Sequence, residues 1–326
     1  MAIHPLSVRR PGLSAATLTI ALAASASAQA AYPERPITLV VAYAPGGGTD
    51  TAARLLARGL QRVLNQSVIV ENKPGAGGTI GAGHVMRAAP DGYTFLFADP
   101  AFVINTGLMA NAGYDVKDFL PVSTITRSPL VLSVHMDVPV QTLPELIATA
   151  FKKSGGLSYS SAGIGTTPHM AGEMLKFYTK APFTHIPFKG SGPAMSNLVA
   201  GQLDFSFSTI PPAKSFIQAK KIRAIATTGP ERSRDFPDVP TIGETIPEFN
   251  VQFWTGLFAP ANTPPDIIRT VNEAVRKTLS DPEIKAAIEK SGDTPAYLPT
   301  EQVAQFVREE QDRWGSLIKE AGIKAE

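Results

Sequence analysis

The sequence contains no cysteine. Disulfides are therefore excluded, and stability must come from buried apolar surface. Net charge is almost missing as well. The chain has 30 basic and 28 acidic side chains. Residues 1–31 hold two of the arginines and no acid, so the rest is balanced at 28 against 28. That neutrality removes global electrostatic support for a nucleic-acid or membrane-surface partner. Long apolar runs are scarce. The run from Leu13 to Ala24 is too short to span a bilayer, and nothing later approaches spanning length.

Catalytic signatures are also wanting. His84, His135, His169 and His185 are the histidines beyond the leader, and none lies within five residues of another, so no local metal-binding pair exists. There is no G-x-S-x-G elbow, no G-x-x-x-x-G-K-[ST] loop and no complete G-x-G-x-x-G fingerprint. Ser316 and Lys319 fit S-x-x-K, but in a stretch that reads as an exposed terminal helix.

What is present begins with an export leader. Arg9 and Arg10 precede the apolar run, and "ASASAQAA" offers small-residue cleavage sites near Ala28 or Ala30. The leader is expected to span residues 1–31 and to direct the chain to export. General secretion fits better than twin-arginine export, because "VRRPGL" matches the latter weakly. The remaining ~295 residues, with 44% hydrophobic content overall, suffice for a core, organised as two domains or lobes.

Short apolar runs alternate with helical patterns. "ITLVVAY" reads as a buried strand, and the following helix is expected to bury Ala53, Leu56, Leu60, Val63 and Leu64. "SVIVEN" and "YTFLFA" extend the alternation, and "LSYSS", "FTHIPF", "LDFSFS" and "IRAIATT" repeat it in the middle of the chain. This is the order of an α/β fold with a parallel sheet covered on both faces. A Pro-rich connection leads to the strand-like "VQFWTGLFAP". Three closing helices are expected near Pro264, Pro282 and Thr300, the second with Asp281 as N-cap and Pro282 at N1.

One local device recurs. Turns rich in glycine and small hydroxyl residues stand between strand and helix at 44–50, 75–81, 161–167 and 189–193. Each leaves free backbone N–H groups where the helix dipole favours negative charge, and glycine lets backbone approach a ligand closely. Since ligands of open α/β sheets sit outside the strands' carboxyl ends, the turns point to a small anion, most economically a carboxylate. Asp50 reads as the cap of the first helix, and Thr166 and Thr167 as caps or hydroxyl donors.

Together "ERPITLVVAYAPGGGTDTAARLLA", "VIVENKPGAGGTIGA", "APDGYTFLFA", "LSYSSAGIGTTPHMAGEML", "IPFKGSGPAMSNLVAGQLDFSFS", "IRAIATT" and "DVPTIGE" resemble the Bug family, the periplasmic solute receptors of tripartite tricarboxylate transporters. The resemblance covers essentially the whole chain after the leader. It implies a two-lobed, type II-like periplasmic-binding-protein fold, each lobe a mainly parallel sheet flanked by helices, with the ligand in the cleft between. Lobe 1 is expected over 32–131 plus 250–326 and lobe 2 over 132–249.

The resemblance also implies a grip on a ligand carboxylate by two turns. The first is Ala44, Pro45, Gly46, Gly47, Gly48, Thr49 and Asp50. The second is Ser161, Ala162, Gly163, Ile164, Gly165, Thr166, Thr167 and His169. Phe188, Lys189, Gly190 and Asp204 fall at motif positions near the cleft, with Phe188 where tyrosine is commoner in the family. Ala98 to Asn105 is the region expected to meet the ligand's distal part, with Phe102 and Phe188 inclining towards a bulky or aromatic acid. His169 reads as a packed or capping residue, with a pH-reporting role as the sharper alternative. Lys189 is a candidate contact for a second carboxylate, a solvated lysine being the default.

The implied ligands are dicarboxylates, tricarboxylates, acidic amino acids and aromatic carboxylates. No cofactor or metal is expected, the receptor should be a monomer, and its partners would be membrane transporter subunits. A receptor serving a membrane sensor, or an exported enzyme acting on such acids, would share these features.

Overall fold

The computed structural model describes residues 1, 2, 4 and 32–325. The leader expected over residues 1–31 thus lies almost wholly outside the described residues. By contacts the chain divides into Met1–Tyr32 and Pro33–Glu326, and the fold described here is that of the second unit.

The chain opens with β1 (Ile37–Val41), α1 (Gly48–Leu64), β2 (Val68–Asn72), α2 (Thr79–Met86), β3 (Thr94–Ala98) and α3 (Ala101–Leu108). β1 lies between β2 and β3, parallel to both. The face of α1 carrying Ala52, Ala53, Leu56, Ala57 and Leu60 is buried. Val63 is exposed and Leu64 only half-buried, contrary to the helical pattern, in the last turn of α1, which ends at Asn65 in the left-handed conformation. Glycine has a packing reason at Gly59, where a β-carbon would come within 2.2 Å of the Thr278 methyl.

β4 (Phe119–His135) follows, a strand that the apolar runs of the sequence did not single out and in which the expected lobe boundary at 131/132 falls. Pro121, Arg127 and Pro129 interrupt its apolar pattern. Pro121 stands at a register shift, where a missing N–H is tolerated. The strand joins two sheets. Phe119 to Pro129 pair antiparallel with β9 (Gln252–Pro260), which also runs antiparallel to β3. Leu130 to His135 pair antiparallel with β7 (Phe205–Thr209) and β8 (Ile222–Thr227).

Between these lie α4 (Leu143–Lys152), β5 (Leu157–Ser161), α5 (Thr167–Thr179), β6 (Phe183–Pro187), α6 (Ser191–Val199) and, after β7, α7 (Ile210–Gln218). β5 is parallel to β6 and β7. The strand order is β2-β1-β3-β9-β4-β7-β5-β6, with β8 pairing β4. The expected parallel arrangement holds for the strands around β1 and β5, while every pair made by β4 or β9 is antiparallel, so the sheets are mixed.

The chain closes with α8 (Pro265–Ser280), α9 (Pro282–Ser291), the two-residue β10 (Thr294–Pro295), which pairs β4, and α10 (Thr300–Ala321). The three terminal helices begin within a residue of where their prolines and caps place them. Asp281 accepts the Glu283 and Ile284 N–H groups at 2.8 and 3.3 Å, as an N-cap does. α10 packs on α3 and β4, and buried Glu310 accepts the indole N–H groups of Trp254 and Trp314 at 2.8 and 3.2 Å. Ser316 and Lys319 are exposed on α10. Among the described residues no helix is long and apolar enough to cross a membrane.

Candidate functional site

Four helices start around one small cavity of ≈ 20 Å³. α1 starts after Gly47, α5 after Thr166, α6 after Gly190 and α7 after Thr209, and none of these N-cap residues makes a side-chain capping bond. Gly47, Gly48, Thr49, Thr166, Thr167, Ser191 and Thr209 line the cavity, with Tyr43, Ala44, Asp99, Ala162, Pro168 and Phe253 completing the wall. An uncapped helix start leaves N–H donors without intrahelical partners, and the macrodipoles add positive potential at the same place. The hydroxyls of Thr167 and Thr209 are buried without a hydrogen-bond partner. Orphaned buried hydroxyls are costly unless something else satisfies them.

The walls approach one another closely. A β-carbon on Gly48 would lie 2.7 Å from the Thr209 hydroxyl, one on Gly77 2.2 Å from the Ile164 carbonyl oxygen, and one on Gly190 3.6 Å from the Ala44 β-carbon. A volume of ≈ 20 Å³ holds about one water, so the cleft is closed in this structure. A second cavity of ≈ 330 Å³ shares Tyr43 and Ala162 with the first. Its wall includes the turn from Pro74 to Gly78, together with Gly163, Ile164, Phe188 and Lys189.

Several expected site residues stand behind the cavity wall. Asp50 is not the cap of α1; Gly47 is. The buried Asp50 carboxylate faces backwards, accepting from Gly46 N at 2.9 Å, Asn72 Nδ2 at 2.9 Å and Arg54 Nε at 3.0 Å. Burial pushes its pKa up, but the bonds from Arg54, Gly46 and Asn72 outweigh that and hold it below the usual carboxylate range. Gly46 and Pro45 shape the same turn, Gly46 at φ +88°.

Ser161 hydrogen-bonds His185 Nε2 at 2.6 Å and accepts the Gly163 N–H at 3.1 Å. Gly165 donates its N–H to His169 Nδ1 at 3.1 Å, and the His169 ring stacks on His185 with centroids 4.2 Å apart. Burial, with the Lys176 charge, lowers the His169 pKa to about 4, so the ring is a neutral fastener of the turn at physiological pH. Asp204 accepts from Ser158 N at 2.7 Å, Ser158 Oγ at 2.9 Å and Lys153 Nζ at 2.7 Å, tying β7 to β5 away from both cavities. Phe102 is packed against Tyr114, Phe119 and Phe258 in the core, so it offers no platform to a ligand.

Sequence reasoning covered Ser191 and Asp99 only as members of the 189–193 turn and the 98–105 region, and it missed Tyr43, Thr209 and Phe253 as wall residues. A hydroxyl residue directly ahead of "IPPAK" and "GPAM" is a legible helix-start signal for Thr209 and Ser191. Asp99 carried the signal of an acid directly after a strand. Its Oδ1 accepts from Tyr43 OH at 2.9 Å and Ala101 N at 3.0 Å, and its Oδ2 from Thr49 Oγ1 at 2.9 Å. Burial raises its pKa to about 6 against the lowering effect of those bonds.

A family model described as the tripartite tricarboxylate transporter family receptor matches residues 52–323. The chain belongs to that receptor family. It is similar to protein BugT of Bordetella pertussis, 35% identical over 317 residues, covering 96% of each chain. Among solved structures it is similar to the periplasmic binding protein BugD, with TM-score 0.87 and 33% identity, over 90% of this chain and 100% of that one. It is equally similar to a Rhodopseudomonas palustris protein, Rpa4515, solved with adipate, with TM-score 0.87 and 32% identity, over 90% and 99% of the two chains. The two-lobed fold of such binding proteins is the fold of this family receptor, with the shared β4 running through both sheets.

Proposed function

We propose that the chain is a periplasmic receptor that captures a small organic carboxylate at the converging helix starts and hands it to the membrane subunits of a tripartite tricarboxylate-type transporter. The observation that carries this reading is the meeting of four uncapped helix N-termini and two partnerless threonine hydroxyls around one cavity. Each charge-assisted hydrogen bond to a carboxylate contributes roughly 1.5–3 kcal/mol. The adipate held by the Rpa4515 protein fits the same chemistry.

In this reading lobe 1 comprises 32–131 and 250–326 and lobe 2 comprises 132–249. The exchange of partners along β4, from β9 at Pro129 to β7 at Leu130, supports a junction there. An open form would meet the carboxylate at the start of α1, and closure would bring the starts of α5, α6 and α7 to it while expelling water, which strengthens every bond to the charge. Pro45, Gly46, Asp50, Ser161, Gly165 and His169 hold the two turns in shape rather than touch the ligand. Lys189, exposed at the second cavity, is placed to meet a distal carboxylate. The receptor works as a monomer and performs no chemistry on its ligand.

The test is a thermal-shift series of the protein, stripped of co-purified ligand, against organic acids paired with their neutral amides. An acid at about a thousand times its Kd stabilises by roughly 4 kcal/mol, a shift of several degrees, and its amide does not. Equal shifts from acids and amides would overturn the carboxylate reading.

A further inference from the structure

Asp99 is at odds with a cavity built to attract an anion. It is a buried carboxylate in the wall of the ≈ 20 Å³ cavity, directly behind Thr49 of α1. Its three hydrogen-bond donors, Tyr43, Ala101 and Thr49, are all neutral groups. Among the described residues it has no ion-pair partner, and no lysine or arginine lines that cavity. A carboxylate accepts about four hydrogen bonds, so one acceptor position remains on Oδ2. A carboxylate ligand drawn to the helix starts would share this confined space with Asp99. Two carboxylates in one such site do not both stay ionised unless a cation stands between them.

We propose that Asp99 is a specificity-determining residue that selects α-amino carboxylates, its free Oδ2 position pairing with the ligand ammonium while the helix starts hold the ligand carboxylate. This inference rests on the carboxylate reading of the site and narrows it to zwitterionic ligands. The pairing leaves the three existing bonds to Asp99 in place. Tyr43, Ala101 and Thr49 keep Asp99 oriented, and the ammonium supplies the charge that the protein omits. The raised pKa of the free carboxyl, about 6, fits a group that lacks a cation until ligand arrives.

The test is calorimetric titration at pH 7 with acid pairs that differ only in the amino group: aspartate and succinate, glutamate and glutarate, 2-aminoadipate and adipate, phenylalanine and 3-phenylpropanoate. In at least one pair the amino acid binds roughly 10- to 100-fold tighter, and Asp99→Asn, which keeps the shape of the side chain, abolishes the preference. A des-amino acid binding as tightly as its partner in every pair, or a preference that survives Asp99→Asn, would overturn the proposal.

The native protein supplies a second readout. Ammonium pairing lowers the Asp99 pKa on binding, so amino-acid affinity weakens as pH falls from 7 to 5. The other titratable groups facing Asp99 are Tyr43 and Tyr114, both raised by burial and by the Asp99 charge, and therefore silent over this range. Affinity that rises on acidification would mean that Asp99 binds its ligand in protonated form, and would sink the ammonium pairing. If no acid of either series binds in preference to its amide, the carboxylate reading fails, and this inference with it.

Discussion

The turn from Ala44 to Asp50 and the turn from Ser161 to Thr167 are built alike but fastened differently. Both follow a buried strand, both start a helix without a side-chain cap, and both face the same cavity. The first is fastened by charge, with Asp50 held by Arg54, Asn72 and Gly46 behind the turn and Asp99 bonded to Thr49 inside it. The second is fastened by neutral groups, with Ser161 on His185 and Gly165 on His169. Residues of both turns line the cavity. What differs is how each turn responds to acid and to substitution.

The largest effect is expected from steric blocking, where the two turns should part. Gly47 has φ −79° and nothing within 4 Å of an added β-carbon, so Gly47→Val keeps the fold and weakens carboxylate binding by at least ~100-fold, two tenfold steps of roughly 1.4 kcal/mol each. Gly163 sits at φ +129° with the Phe188 carbonyl oxygen 3.1 Å from that position, so Gly163→Val costs stability as well as binding. Calorimetry together with melting curves separates the two. Equal melting temperatures for both variants would remove the backbone contrast.

Next comes the charged fastening. Asp50→Ala leaves the Gly46 and Asn72 donors and the Arg54 guanidinium without their acceptor and should destabilise by roughly 2–3 kcal/mol in urea titration. Because the folded Asp50 pKa lies below its ordinary value, its contribution is complete above about pH 4 and is lost as pH falls through the folded pKa. A loss under ~0.5 kcal/mol would show that the backbone alone holds this turn.

The neutral fastening makes a smaller prediction, at higher pH. His169 and His185 have pKa values lowered to about 4 and about 3, first by burial. The unfolded chain takes up these protons near pH 6.5 while the folded chain resists, so stability is complete above 6.5 and declines as pH falls towards 4. Asp99 and Asp293, raised to about 6 mainly by burial, act oppositely over part of that range, so the comparison must be with a variant. The melting temperature of His169→Gln/His185→Gln should vary less between pH 7 and pH 5 than that of the native protein, by a few degrees. An unchanged pH slope would refute the neutral-histidine assignment.

The smallest effect is at Lys189, an exposed side chain beside the second cavity. Lys189→Ala should weaken a dicarboxylate about threefold and its monoester not at all, as befits a screened surface charge. Equal changes for both would leave Lys189 without a ligand role.

How much was legible depends on the range of the signal. The helix starts at Gly48, Thr167, Pro282 and Thr300 follow from glycine, hydroxyl and proline chemistry within a few residues. β4 was not legible, since Pro121 and Pro129 look like breaks until β9, β7 and β8 are seen alongside them. Asp50 read as a cap because a short acid near a helix start usually is one. Here Asn72 and Arg54, 22 and 4 residues away, pull it backwards. Phe102 inclined the reading towards a bulky acid because its packing against Tyr114, Phe119 and Phe258 is invisible in a linear pattern.

Alone, the sequence determined the absence of disulfides, the electrical neutrality of the chain beyond residue 31, the alternation of strand and helix, and the Gly-rich turns between them. Those properties belong to composition and to neighbours a few residues apart, where backbone sterics and capping act. Tertiary structure alone decided that four helix starts share one cavity, that Thr209 and Ser191 join it, that the His169 ring stacks on His185, and that Asp99 lines the cavity. These depend on strand order and on residues far apart in the chain, which the two sheets joined by β4 bring around one cavity.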